Sequence, residues 1–194
     1  MGMKRLLIYF FYDREGKVDR YVDKMLEGIC GHMDTCLVVC NGLLSPEGRK
    51  IFQKYTSQII VRENKGFDVW AYKTALEYVG WEQLEVYDEI IMMNFTIMGP
   101  IYPFQEMFDT MDKKNVDFWG LTLFHESDND PFGKIKYDFL PLHIQSHFIA
   151  VRKNMIKSRE FKEYWKSMPM ITCYEEAVCW HEAIFTKHFS RCSA

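Results

Sequence analysis

Unbroken apolar runs of strand length alternate along the chain with segments whose apolar residues recur at helical spacing. The clearest run, Glu89 to Met93, leads into a polar tip, Asn94-Phe95-Thr96, and then a Gly99-Pro100 turn. A short apolar run bounded by turn residues is typical of a central strand in a parallel sheet that is covered on both faces. In such sheets the ligand lies beyond the carboxyl ends of the strands, so residues 94–96 are the first predicted site.

The same pattern predicts the other elements. Strands are predicted at residues 6–12, 35–40, 58–61, 117–123 and 143–151, and helices at 17–30, from Pro46, after Gly66, from Pro103, around 161–168 and at 172–188. This alternation predicts an α/β fold, with a mostly parallel, doubly wound sheet and helices on both faces. Residues 124–142 are predicted to form a long polar loop, of a length that is usually functional or mobile.

Composition narrows the class of protein. A chain of 194 residues fits one α/β domain, 1–194, and a net charge of -3 lacks the basic excess of a nucleic-acid-binding protein. The run Leu6 to Tyr12 is too short to span a membrane and lacks a secretory cleavage pattern. Six cysteines without a C-x-x-C pair predict reduced thiols and a cytoplasmic location. Residues 189–194 look like the start of another strand, which predicts a chain truncated at its C-terminus.

The loop Arg62 to Asp68 is the first candidate for ligand binding. Gly66 between a strand and a helix suits a tight turn, and backbone amides at a helix start attract anions. Arg62 and Lys65 add positive charge that suits a diphosphate. The alternative is an ordinary strand-to-helix connection with solvated charges, which a single glycine does not exclude.

Two further polar clusters are candidates. Asn94 and Thr96 can hydrogen-bond a sugar or ligate a hard cation weakly, or they can simply cap the following turn. His143, Gln145, Ser146 and His147 can contact phosphate or acceptor hydroxyls, or they can form a buried hydrogen-bonded network. Strict strand alternation places His143, Gln145 and His147 on one face and Ser146 on the other.

Carboxylates offer a general base. Glu175 can take a proton from a reacting hydroxyl, although Thr172-x-x-Glu175 also spells a helix capping box. Asp128-x-Asp130 resembles a metal-binding motif but lies in a polar loop, and is interpreted as a solvated turn. No elbow motif supports a nucleophilic serine or cysteine.

Taken together, these motifs resemble the rhamnan synthesis protein F family, bacterial glycosyltransferase-like proteins with a GT-A-like nucleotide-sugar fold. The resemblance runs in order over most of residues 4–190. It rests on Glu63-Asn64-Lys65-Gly66-Phe67-Asp68 with Ala71, Tyr87-Asp88-Glu89-Ile90 through Asn94 to Gly99-Pro100, Asp117-Phe118-Trp119-Gly120-Leu121-Thr122, His143-Ile144-Gln145-Ser146-His147-Phe148, and Tyr174-Glu175.

The resemblance implies inverting transfer of a sugar, rhamnose from a deoxythymidine diphosphate donor, onto a growing cell-surface polysaccharide or lipid-linked acceptor. The resemblance also implies that the protein acts in the cytoplasm at the inner face of the membrane, in association with other synthesis proteins. Glu175 would be the base. The donor would be bound by Asn64, Lys65, Gly66, Asp68, Asn94 and Thr96, and the acceptor or phosphate by His143, Gln145 and Ser146.

One position departs from the family pattern. The family usually has Asn-Asp-Ser at the strand tip, and Phe95 stands here in place of the acidic residue. The resemblance implies Mg²⁺ or Mn²⁺, with Asn94 and Thr96 as weak ligands, but a phenylalanine cannot ligate a cation. Arg62, Lys65 or Arg152 would then supply the positive charge. A non-catalytic binding or assembly module is the alternative function, and an unrelated nucleotide-binding hydrolase is a third.

Overall fold

A six-stranded sheet forms the centre of the computed structural model, which describes residues 2–190. Its order is the third, second, first, fourth, eighth and fifth strand, and the sixth and seventh strands form a separate ribbon. The strands are β1 (Arg5–Asp13), β2 (Thr35–Gly42), β3 (Ile59–Arg62), β4 (Glu89–Asn94), β5 (Phe118–Gly120), β6 (Leu123–Phe124), β7 (His143–Ile144) and β8 (Phe148–Arg152).

The sheet is mostly parallel, as predicted. Strands β3, β2, β1 and β4 pair in parallel, whereas β8 runs antiparallel to both of its neighbours, β4 and β5. Because β8 is reversed, the residues that precede it lie at the carboxyl edge of β1 and β4. In this register Met93, near the end of β4, pairs with Phe148, the first residue of β8.

Helices cover both faces of the sheet, which confirms the predicted layers. Leu26, Phe52 and Phe108 pack on one face, and Leu76, Trp165 and Phe185 pack on the other. The helices are α1 (Arg20–Cys30), α2 (Pro46–Phe52), α3 (Phe67–Val79), α4 (Trp81–Leu84), α5 (Phe104–Met111), α6 (Lys153–Lys157), α7 (Arg159–Ser167), α8 (Tyr174–Ala177) and α9 (Ala183–Phe189), with a π-helical segment, Val178–Glu182, joining α8 to α9.

Strand β4 lies at the centre of this core. All of its residues are buried, and successive apolar side chains point to opposite faces, as a pleated strand requires. Ile90 and Met92 pack on the α3 side, while Ile91 and Met93 pack on the α1 side. Each such side chain contributes roughly 1.5–3 kcal/mol on burial, which explains the unbroken apolar run.

A buried ion-pair network closes the opposite end of β4. Glu89 is fully buried and accepts hydrogen bonds from Arg5 Nε at 2.9 Å and Trp119 Nε1 at 2.8 Å. Arg152 forms a second ion pair with Glu89. Arg152 was predicted as one of three candidates for binding a diphosphate, but it is committed to this network instead.

Several predicted boundaries are wrong. The strand predicted at 143–151 is broken at residues 145–147, because the N–H of Ser146 donates to the Glu182 side chain rather than to a neighbouring strand. The strand predicted at 117–123 ends at Gly120, where the chain leaves the sheet for the β6–β7 ribbon. Phe189 ends α9 and does not start a strand, and residues 191–194 lie outside the described part.

Within residues 2–190, no helix combines the length and the apolar character that crossing a membrane requires. The described cysteines form no disulfide, and Cys192 lies outside the described residues. They are Cys30, Cys36, Cys40, Cys173 and Cys179.

Candidate functional site

A cavity of about 1030 Å³ opens at the carboxyl edge of β1 and β4. It gathers residues that are far apart in the chain: the strand ends, the loop before α3, the turn before β8 and the helix after residue 173. All of the residues predicted to bind the donor lie in its wall. The lining residues are Phe10, Tyr12, Asn64, Lys65, Gly66, Phe67, Asp68, Asn94, Phe95, Thr96, Gln145, Ser146, His147, Met170, Ile171, Thr172, Tyr174, Ala177, Val178 and Glu182.

The loop before α3 crosses this wall in a sharp turn. Gly66 and Phe67 both have left-handed backbone angles, with φ of 77° and 53°. A side chain at Gly66 would also collide with Trp70, so glycine is required there. Arg62 supports the loop from behind, because its Nη1 donates to Asn41 Oδ1 at 2.7 Å and to the carbonyl oxygen of Lys65 at 2.8 Å. Arg62 therefore holds the loop and does not line the cavity.

Lys65 is the only lysine or arginine among the described residues that line the cavity. Its exposed ammonium group lies 2.8 Å from the carboxylate of Glu63. Both side chains are largely in solvent, where such an ion pair contributes only about 0–1 kcal/mol. Lys65 can therefore exchange this partner for an anionic ligand at little cost.

The strand tip is held rigidly by its own side chains. Asn94 Oδ1 accepts hydrogen bonds from the backbone N–H of Thr96 at 3.1 Å and from its hydroxyl at 2.6 Å. Because a backbone N–H can only donate, these bonds fix the amide orientation, and the Asn94 amide nitrogen donates to Asp68 Oδ2 at 3.1 Å. The residues therefore cap the turn, as one of the two readings predicted, and they also line the cavity, whereas binding of a sugar stays a prediction.

Phe95 is anchored in the core between the two ends of this tip. Its ring meets those of Phe10 and Phe11 in edge-on contacts at 5.8 and 5.6 Å, and Tyr21 donates to its carbonyl oxygen at 3.0 Å. Such ring pairs stabilise by about 0.5–1.5 kcal/mol beyond the area they bury. The position at which the family usually carries an acidic side chain is thus filled by packed aromatic surface.

Two carboxylates meet at the floor of the cavity through one serine. Ser146 presents its N–H and its hydroxyl to Glu182 Oε2, each at 2.8 Å, and the same hydroxyl oxygen lies 3.2 Å from Asp68 Oδ2. Burial raises the pKa of Asp68; the hydrogen bond from Asn94 opposes this effect, and the charge of Glu182 adds to it. The site therefore holds an acid pair, of which the sequence pattern identified only Asp68.

The π-helical segment brings Glu182 into the cavity. Tyr174, Ala177, Val178 and Glu182 line the wall at a spacing typical of one helix face. A π turn advances by a smaller angle per residue than an α turn, so the segment Val178–Glu182 brings Glu182 closer to the direction of Val178. The missed signal was the i, i+4, i+8 spacing of Tyr174, Val178 and Glu182, which marks one face of a regular helix as well.

The structure places Glu175 outside the cavity wall. It lies in the first turn of α8, where its own backbone N–H and Cys173 lower the pKa of its carboxyl. The predicted capping box is shifted by one residue, because Glu176 accepts from the N–H and the hydroxyl of Thr172, each at 2.7 Å. The geometry therefore assigns Glu176 to the cap, and Glu182 is the glutamate that faces the cavity.

His143 also lies away from the site. It is buried, contacts the Pro141 carbonyl oxygen through Nδ1 at 2.7 Å, and stacks on Phe124, so it does not line the cavity and its surroundings favour the alternative of a buried hydrogen-bonded network. His147 lines the cavity instead. Burial lowers the pKa of His147, against the opposing charge of Glu182, and its Nε2 lies 2.9 Å from Thr122 Oγ1.

The strand tip does not suit a divalent cation. Asn94 Oδ1 already accepts two hydrogen bonds, and Phe95 supplies no oxygen. Across residues 2–190, His, Cys, Asp and Glu side chains form no group of three that could hold a metal ion. Asp128 and Asp130 do not line the cavity, and Asp130 binds the N–H groups of Phe132 and Ile135 within its own loop.

A mostly parallel sheet with a cavity beyond the carboxyl ends of its strands is the arrangement of a ligand-binding α/β protein. The profile of the family described as rhamnan synthesis protein F matches residues 36–192 of the chain. The chain belongs to this family, as its motifs predicted.

Two solved structures match this chain in part, both with low sequence identity. Core-mannan synthase A (CmsA/Ktr4) from Aspergillus fumigatus, in a Mn/GDP form, is 10% identical over 84% of this chain and 63% of that chain, with a TM-score of 0.36. The mannosyltransferase Ktr4p from S. cerevisiae is 9% identical over 92% of this chain and 62% of that chain, with a TM-score of 0.43. The chain thus spans less than two thirds of either protein. A search of curated proteins found no match.

Proposed function

We propose that the protein is a glycosyltransferase that moves a sugar from a nucleoside diphosphate donor to a growing cell-surface polysaccharide or its lipid-linked precursor. The observation that carries this proposal is the convergence of residues 64–68, 94–96 and 145–147 on one cavity that also holds a carboxylate, Glu182. Membership of the rhamnan synthesis protein F family supports the substrate class. Rhamnose on deoxythymidine diphosphate is the proposed donor.

The cavity has the size and lining that such a donor needs. Its volume of about 1030 Å³ lies at the upper end of small-molecule sites. The aromatic side chains of Phe10, Tyr12 and Tyr174 can stack on a base or a sugar ring. The backbone N–H groups at the start of α3 can bind an anionic group of the donor. Lys65 is placed to neutralise the diphosphate.

The proposed reaction inverts the anomeric centre in one displacement. Glu182 takes the proton of the acceptor hydroxyl as its oxygen bonds to the anomeric carbon, while the bond from that carbon to the diphosphate breaks. Lys65 and the α3 amides stabilise the charge that develops on the leaving diphosphate. We assign the base to Glu182 rather than Glu175 because Glu182 lines the cavity.

Calorimetric titration with deoxythymidine diphosphate and other nucleoside diphosphates tests donor binding. We expect Lys65→Ala to weaken binding about tenfold, because a hydrogen bond to a charged group contributes roughly 1.5 kcal/mol. Lys24→Ala, an exposed change outside the cavity, is the matched control and should bind as the parent does. Equal affinity in all three proteins, or no binding of any nucleoside diphosphate, would contradict the proposal.

The packing of Phe95 favours a second candidate, a non-catalytic module that binds a nucleotide-sugar within a synthesis complex. The two functions differ in turnover. If the protein is an enzyme, it consumes the donor in the presence of acceptor, and Glu182→Gln abolishes consumption while Glu175→Gln does not. If it is a module, it binds the donor without consuming it, and both variants leave the donor intact.

A further inference from the structure

The acid pair at the cavity floor contains fewer hydrogens than its contacts require. Ser146 Oγ lies 2.8 Å from Glu182 Oε2 and 3.2 Å from Asp68 Oδ2. A serine hydroxyl carries one hydrogen and can donate it to only one of these oxygens. In the other contact, the Ser146 oxygen and the carboxylate oxygen would then lie close together without a hydrogen between them. This contact is repulsive if the carboxylate is ionised.

The neighbouring donors do not fill this gap. The backbone N–H of Ser146 donates to Glu182. The Asn94 amide, whose orientation is fixed by Thr96, donates its own hydrogen to Asp68 Oδ2. The N–H of Val69 goes to the other oxygen of Asp68, Oδ1, at 3.0 Å. None of these hydrogens lies between Ser146 Oγ and Asp68 Oδ2.

We propose that Asp68 and Glu182 share one proton through Ser146, and that Asp68 holds it at neutral pH in the ligand-free protein. Asp68 then donates to Ser146 Oγ, and Ser146 donates to an ionised Glu182. The shorter contact is the one to Glu182, as expected for a charged acceptor, and Ser146 N–H adds a second donor to the same oxygen.

The surroundings agree with a single negative charge on the pair. Burial raises the pKa of Asp68, and the charge of Glu182 raises it further, against the hydrogen bond from Asn94. Tyr72, packed beneath the pair, donates to the Ser146 carbonyl oxygen at 3.4 Å, and its own pKa is raised by burial, so it stays neutral. Burial lowers the pKa of His147, which favours the neutral ring, and Lys65 on the wall is paired with Glu63.

The role of this proton in sugar transfer rests on the proposed function. With Asp68 neutral, the like-charge repulsion is removed, and the Ser146 hydroxyl is turned toward Glu182. The carboxylate of Glu182, which accepts from Ser146, can then take the proton of the acceptor hydroxyl. Asp68 is thus a positioning residue that acts through Ser146, and it does not contact the reacting atoms.

Infrared spectroscopy of the metal-free protein tests the position of the proton without any substrate. The parent spectrum minus that of Asp68→Asn, at neutral pH, should show the carbonyl band of one protonated carboxylic acid. Asp88→Asn is the matched control: a hydrogen bond from Lys153 lowers the pKa of Asp88, so only ionised carboxylate bands should be lost. A difference spectrum for Asp68→Asn that shows only carboxylate bands would overturn the proposal.

A kinetic comparison tests the positioning role. Asp68→Asn removes the charge, but an amide nitrogen that donates to Ser146 Oγ also meets the N–H of Asn94, so this variant is used only for the infrared measurement. Asp68→Ala and Ser146→Ala should both lower kcat, with KM for the donor little changed, and shift the acid limb of the pH profile. If Asp68→Ala leaves kcat and the pH profile as in the parent, Asp68 does not position Glu182 and the proposal fails. A protein that shows the infrared band but no turnover would refute the transferase function alone.

Discussion

A single aromatic side chain decides the chemistry available at the strand tip. Phe95 fills the position at which the family usually has an acidic residue, and its ring packs against Phe10 and Phe11. Asn94 is held by Thr96 on one side and bonds Asp68 on the other. The tip is therefore built as a rigid, uncharged edge, and the carboxyl groups of the site are those of Asp68 and Glu182.

Restoring the acidic residue tests whether this edge can still bind a cation. We expect Phe95→Asp to destabilise the fold by about 2–4 kcal/mol, because it leaves a cavity and places a charge against aromatic rings. Urea unfolding measures this change, with Phe95→Leu as a control that keeps most of the packing. Calorimetry with Mn²⁺ should show no new site, because Asn94 Oδ1 remains engaged; micromolar binding to the aspartate variant would contradict this.

The residues that line the cavity were predictable where their positions along the sequence were informative. Gly66 and Asn94 were identified from their positions at a helix start and a strand end, Asp68 was named through the family resemblance, and all three line the cavity. His143 lies outside the wall because it is buried and stacked on Phe124, which the sequence does not show. Glu182 was missed because the shared helix face of Tyr174, Val178 and Glu182 was not recognised as part of the site.

At the scale of elements, the helix after residue 173 is the part that most shapes the site. It begins with a cap formed by Glu176 and continues through the π-helical segment Val178–Glu182 into α9. Single π turns inside α-helices are rare and occur often at functional sites. Here the turn changes which residues share the face of the helix that lines the cavity.

The two neighbouring glutamates at the start of this helix provide a matched test of the cap. Glu176→Gln should lower the urea midpoint, because the N–H and hydroxyl of Thr172 lower the pKa of Glu176, and Glu175→Gln should change it less. A lowered pKa means that the contribution is present above the unfolded value, roughly pH 4, and is lost as pH falls through the folded value. The gap between Glu176→Gln and the parent should therefore close in acid; a gap that is unchanged there would exclude an ionised cap.

Elements with a strong apolar pattern were predicted well, and those governed by side-chain contacts were not. Strands β1, β2 and β4 were found because each is a buried run bounded by polar residues. The break at residues 145–147 was missed because it is caused by Glu182, which is distant in sequence. The short helices α4 and α6 were missed because they are single turns without an apolar period.

At the scale of the whole molecule, the face of the sheet beneath α9 is closed by a cluster of rings around one buried histidine. His181 contacts Trp165 and Phe185, and its Nδ1 lies 2.9 Å from the Tyr164 hydroxyl. Burial lowers the pKa of His181 to about 3. The folded protein therefore holds this ring neutral at a pH where an unfolded chain would protonate it.

This histidine makes the fold sensitive to acid. Because the folded pKa lies below the unfolded value of about 6.5, the unfolded state binds an extra proton between the two values. Stability should fall below about pH 6.5, by at most roughly 1.4 kcal/mol per pH unit from this group. Urea unfolding between pH 7.5 and 4.5 measures the slope. His181→Phe should flatten it and His125→Gln, an exposed change, should not; equal slopes in all three proteins would rule out this origin.

The reversed direction of β8 has a consequence for how this molecule can diversify. Because β8 is antiparallel to its neighbours, its N-terminal end lies at the edge of the sheet where the cavity opens. Ser146 is therefore part of the connection that precedes β8. That connection includes the long segment 125–142, which packs on the helix after residue 173 through Ile135 and Leu140. Insertions or replacements in this segment can shift the cavity wall through Tyr174, whose ring Phe132 meets at 6.5 Å, while every ladder of the sheet stays intact. Ligand preference can therefore change without refolding the core.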